Sequence, residues 1–162
     1  IIIFKSLILN VKSEIVYLDI NYILNNSTVG KSLNIYIDDL NNEKLLIYNK
    51  IENELIKTEK SLIAQQNIIE KNEFERKFNI LSKKIKKYRI NKKKKKDEIN
   101  LIKVENTKKI LKLLNPIIAK YVEENSILLV LSKKNIIVGK KNLDITDKII
   151  QILDNQSTQL EF

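Results

Sequence analysis

Glycine and proline, the residues that make tight corners and stop helices, occur three times in 162 residues, as Gly30, Gly139 and Pro116. So few turn-makers argue against many short strands joined by tight turns and for long helices joined by few corners. The pattern between Ser27 and Asn125 answers that demand. Apolar residues fall at Leu33, Ile37, Leu40, Ile47, Ile51, Leu55, Leu62 and Ile69, in steps of 4, 3, 7, 4, 4, 7 and 7. This spacing is close to 3.5 residues and makes a narrow seam for a partner helix, with Ser27 as its N-cap.

A break follows near Glu70-Lys71-Asn72. Asn72 caps a second helix, with Glu75 in the capping-box position. Its seam runs Phe74, Phe78, Leu81, Ile85, Tyr88, Lys92, Lys95, Ile99, Ile102, Asn106, then shifts by one residue to Ile110, Leu113, Ile117 and Tyr121. A hairpin folded about residues 71–72 sets Lys92 and Lys95 roughly opposite Tyr48 and Ile51. Lysine stems can lie along apolar surface with the ammonium in water, so this region is expected to pack loosely. Pro116 predicts either a kink or a helix that stops at Asn115 and restarts.

The flanks read differently. Glu14 to Ile20 is β-branched and aromatic, a buried strand, and Asp19 caps a short turn of helix to Asn25. Ile127 to Leu131 reads as a second buried strand and Ile136-Ile137-Val138, ended by Gly139, as a third. Asp144-Ile145-Thr146-Asp147 opens a last helix with Ile149, Ile150, Ile152 and Leu153 on its apolar face. The fold class is therefore α+β and mostly α: a long antiparallel coiled-coil hairpin, residues 31–112, projecting from a small β-containing body, residues 14–30 and 113–155. Residues 156–162 form a flexible tail. Residues 1–13 are too short and too charged to span a bilayer and read as a leader remnant, the alternative being a first strand. The absence of Met agrees with a mature form or a fragment.

The formal charge is +10. Lys31 to Glu70 carries five lysines and seven acids, whereas Lys71 to Lys112 carries seventeen cations and five acids. The excess charge thus lies on the returning helix, densest at Lys83, Lys84, Lys86, Lys87, Arg89 and Lys92 to Lys96. Such a block is either a solvated face or a recognition surface for an anionic or amphipathic client. Only Arg76 and Arg89 are arginines, and aromatic content is 6%. With no recognition fold visible, nucleic acid is not expected as a partner.

Catalytic apparatus is missing from the sequence. There is no His to act as base and no Cys for a disulfide or thiolate site. Adjacent acids such as Asp38-Asp39, Asp97-Glu98 and Glu123-Glu124 diverge by about 100° on a helix and make no acid/base pair. Val29-Gly30-Lys31-Ser32 is like the end of a phosphate-binding loop, but Asn25 stands where the first glycine is needed. The expectation is a non-enzyme without cofactor or metal.

The order of strand, turn, helical hairpin, strands and last helix resembles the Skp/OmpH family of periplasmic chaperones. The residues that carry the likeness are Ile15-Val16-Tyr17-Leu18-Asp19 followed by Ser27 and Gly30-Lys31, and later Ile127 to Leu131, Asn135 to Gly139 and Leu143-Asp144-Ile145-Thr146. Pro116 sits where many members have a proline, and the likeness covers about Glu14 to Leu153. It implies a homotrimer whose body joins strands from three chains, with three arms around a cavity. It implies an ATP-independent holdase in the periplasm that binds unfolded outer-membrane proteins and supports their assembly. On this reading the oligomerisation residues are Ile15, Val16, Tyr17, Leu18, Leu128, Leu129, Val130, Leu131, Ile136 and Val138. The client-binding residues are Lys83, Lys84, Lys87, Arg89, Lys92, Lys93, Lys95 and Lys96. Contact with an anionic membrane surface or lipopolysaccharide is a further implication. A structural or adaptor coiled coil, binding a folded partner helix through Leu33 to Ile69, is the alternative of a different class, and a basic nucleic-acid-binding arm is a weaker one.

Overall fold

The structure, a computed structural model, describes residues 14–156. The leader and most of the tail expected from the sequence lie outside these residues. The elements in order are β1 (Glu14–Leu18), α1 (Ile20–Asn26), α2 (Thr28–Ala64), α3 (Lys71–Glu124), β2 (Ile127–Ser132) and α4 (Thr146–Gln156), with two single 3-10 turns between β2 and α4. They form two compact units. Of the described residues, one unit holds 14–34 and 106–156; the other is Ile35–Glu105.

In the first unit, β1 and β2 pair in parallel, with Ile15 opposite Leu129, Val16 opposite Val130 and Leu18 opposite Ser132. Parallel neighbours need a long crossover, and here the whole of α2 and α3 supplies it. The second edge of β1 is partly closed by the chain before α4: Tyr17 bridges Asp144, and Ile145 N–H donates to the Tyr17 carbonyl at 3.0 Å. That leaves no place beside β1 for the third strand expected at Ile136 to Val138. A 3-10 turn at Lys133–Asn135 leads instead into an irregular loop, with Ile137 and Val138 almost fully exposed. β-branched composition alone does not make a strand, because pairing and packing decide it.

The core of this unit gathers Val16, Leu18, Ile23, Val29, Leu33, Ile110, Leu114, Ile117, Ile145, Ile149 and Leu153, all buried. Leu114, not the expected Leu113, is the fully buried residue of that turn. α3 is continuous through Pro116, so the helix neither stops at Asn115 nor restarts.

Three short motifs lock these pieces. Ser27 is fully buried, and its Oγ accepts from Gly30 N–H at 3.2 Å, capping α2 as the sequence suggested. Gly30 is required by packing: a Cβ there would stand 2.1 Å from the carbonyl oxygen of Leu24. Asp154, from α4, accepts from Thr28 N–H at 2.8 Å and satisfies a second orphan donor of the same helix start. Thr146 completes the set. Its Oγ1 accepts from Asp19 N–H at 3.0 Å and donates to Asp144 Oδ1, which also accepts from Thr146 N–H.

The second unit is an antiparallel helix pair. α2 ends at Ala64 and α3 begins at Lys71, so the corner spans Gln65 to Glu70. Asn72 lies inside the first turn of α3 and does not cap it. Glu73, in that turn, pairs with Lys77 at 2.9 Å.

Candidate functional site

The seam of the helix pair is thinly buried. Ile37, Leu62, Leu81 and Ile99 are the buried side chains of this unit among the described apolar residues. Between Ile37 and Leu62 on α2, and between Leu81 and Ile99 on α3, nothing apolar is fully covered. Large apolar side chains are exposed there instead, among them Leu45, Leu46, Ile47, Ile56 and Ile90.

At mid-arm, where loose packing is expected around Lys92, a polar and aromatic latch spans the thinly buried seam. Tyr88 donates to Glu52 Oε2 at 2.5 Å, and Lys92 Nζ reaches both Glu52 Oε2 and the Tyr88 hydroxyl at 2.9 Å. Tyr48 donates to the Asn91 carbonyl at 3.1 Å and meets Tyr88 edge-on, with ring centres 5.9 Å apart. The bond from Tyr88, then that from Lys92, holds the Glu52 carboxyl below the ordinary carboxylate range. Burial, then the bond to Glu52, pushes the Tyr88 hydroxyl up, and the bonds to Tyr88 and Glu52 raise Lys92. A lysine at a seam position is thus an interhelical tie that fixes which turn of α2 faces which turn of α3.

The cations named from the sequence do not form one cluster. Arg89, Lys92, Lys93, Lys95 and Lys96 line a single groove of about 520 Å³ between the helices, together with Leu45, Tyr48 and Ile99. Lys84 and Lys87 line a different groove beside Ile47, Ile51 and Leu55. Lys83 lines neither. Within the larger groove, Lys92 is paired with Glu52 and Lys95 with Glu98. Leu45, which forms part of the groove, lies off the helix seam and gave no signal in the heptad pattern.

In the other unit the residues named for oligomerisation divide by burial. Val16 and Leu18 are only 3% exposed, committed to the chain's own core. Ile15, Leu128, Leu129, Leu131 and Val138 are exposed. Contrary to the expectation of a buried strand, β2 presents Leu128 at 70% and Leu129 at 48% exposure. Beyond β2 no further strand pairs with it among the described residues. An apolar strand with an open edge is a template for pairing with another chain.

A parallel strand pair whose crossover is a charged helical hairpin, with apolar residues exposed on the strands and on the hairpin, defines a class of binding protein. The comparisons give the family. Residues 14–153 match the family described as outer membrane protein (OmpH-like), and the chain belongs to it. A crystal structure from Caulobacter crescentus, described as that of an OmpH-like outer membrane chaperone, superposes with a TM-score of 0.79 at 17% identity. The match covers 93% of this chain and 89% of that one. Among functionally curated proteins none matches the sequence. No described helix is long and apolar enough to cross a membrane.

Proposed function

We propose that this protein is a periplasmic holdase, an ATP-independent chaperone that keeps unfolded outer-membrane proteins soluble until they assemble. The observation that carries the reading is the hairpin of an OmpH-like chain bearing exposed apolar side chains among dense lysines. Such a surface offers many weak contacts to an unfolded chain, and lysine charge attracts without the bidentate grip of arginine. A client held this way is released without nucleotide.

The working form is a homotrimer assembled through the open edge of β2. Leu128, Leu129 and Leu131 leave water on assembly, and each strand gains the partner its own chain lacks. Cationic arms also favour approach to an anionic membrane surface, where clients are delivered.

The test is dilution of a urea-unfolded outer-membrane β-barrel into buffer with and without the protein, followed by light scattering. Suppressed aggregation at near-stoichiometric protein is expected. Aggregation at the control rate would refute the chaperone reading. Leu128→Asp with Leu129→Asp is expected to reduce the native mass from trimer to monomer; an unchanged mass would remove the β2 edge as the interface.

A further inference from the structure

We infer that the groove floored by Leu45, Tyr48 and Ile99 is a docking subsite for an extended peptide segment in which apolar side chains are flanked by Asp or Glu. The inference rests on the chaperone reading and adds to it a place and a sequence preference.

The floor is apolar and held in position. Leu45 is 53% exposed, and Ile99 closes the base. Tyr48 cannot swing away, because its hydroxyl is bonded to the Asn91 carbonyl and its ring rests on Tyr88. The volume of about 520 Å³ suits a few side chains, not a folded domain.

The rim supplies unmatched charge. Of the six cations lining the groove, Lys44, Lys92 and Lys95 are neutralised by Glu43, Glu52 and Glu98. Arg89, Lys93 and Lys96 have no carboxylate within ion-pair distance among the described residues. Three uncompensated positive charges beside an apolar trough match a segment that alternates acidic and apolar residues. Burying apolar side chains against Leu45 and Ile99 gives affinity, and the rim selects the flanking charge.

Other anionic occupants fit less well. A nucleic-acid backbone would use the rim and leave Leu45 wet. A membrane surface is flat and does not reach a concave floor between two helices.

The test is fluorescence anisotropy of a labelled, unstructured peptide of Leu and Phe flanked by Asp and Glu, titrated with the full chain. The same peptide with Lys in place of the acids, and an acidic peptide with Ser in place of Leu and Phe, serve as probes. Only the first is expected to bind. Leu45→Asp should weaken it about tenfold or more, and Lys93→Glu with Lys96→Glu should do the same; both positions are on the helix surface, and circular dichroism checks the fold. Equal affinity for the Lys peptide, an unchanged affinity in both variants, or displacement by single-stranded DNA or anionic vesicles with Leu45→Asp having no effect would each overturn the subsite. Aggregation assays separate the two readings. If the wild type protects the β-barrel and both variants bind the peptide as it does, the subsite fails and the chaperone reading stands. If the wild type gives no protection, the chaperone reading fails, and the peptide titration still decides the groove.

Discussion

Replacing Gly30 by Ala tests how the body is locked, because the sign of the effect is opposite to the usual one. Within a helix Gly→Ala ordinarily stabilises by up to about 1 kcal/mol, since Ala loses less backbone entropy. At Gly30 the added Cβ would lie 2.1 Å from the Leu24 carbonyl oxygen and 2.7 Å from its carbon, where ordinary contact begins at 3.4 Å. Both atoms are backbone, so relief requires α1 and the start of α2 to separate. That movement also strains the Ser27 cap, whose Oγ is 3.2 Å from Gly30 N. Overpacking costs about 1–3 kcal/mol and cap loss about 1 kcal/mol, less the propensity gain, for a net destabilisation of about 1–3 kcal/mol. Hydrogen exchange resolves it by region. Slow amides of residues 14–34 should exchange about 5- to 150-fold faster at fixed protein concentration, and those around Glu52 and Tyr88 should not change. Body amides that exchange as slowly as in the wild type, or more slowly, would refute the packing argument.

Thr146→Val leaves the Asp19 N–H without its acceptor and should destabilise the body by about 1–3 kcal/mol, with Thr146→Ser largely restoring it, both read as urea midpoints. Burial alone would raise the Asp144 carboxyl, but the bonds from Lys133 and Thr146 outweigh it and hold the group below its ordinary value. Its stabilisation is therefore present above the unfolded value of about 3.9 and lost as pH falls through the lower folded value. Lys133→Ala should shrink that acid-side loss of stability in a pH series of urea midpoints, and an identical acid limb would contradict the assignment. Ser126 joins α3 to β2 with φ of 51°, a region that costs a non-glycine residue about 1 kcal/mol. Ser126→Gly should recover part of that cost as a higher urea midpoint.

The hairpin was legible because a seam near 3.5 residues recurs along both helices, and Ser27 at its start carries the capping chemistry in its own side chain. The corner was less so. Asn72 and Glu75 make a good capping signal, yet the chain turns between Gln65 and Glu70, where the competing signals are weak. The third strand failed for a non-local reason. Ile136 to Val138 has strand composition, but the second edge of β1 is partly taken by Asp144 and Ile145, and the segment does not pair with the edge of β2 either, which no local pattern reveals. Similarly, charge counts located the cationic helix but not the division of its lysines between grooves. That division depends on which turn of α2 lies opposite, set by Tyr48, Glu52, Tyr88 and Lys92.

Native mass spectrometry of the full chain mixed with an unfolded outer-membrane β-barrel tests the central claim most directly. The account predicts a species of three chains and one client, formed without nucleotide, beside the free trimer. A chain found only as monomer, with the client lost to aggregate, would contradict it.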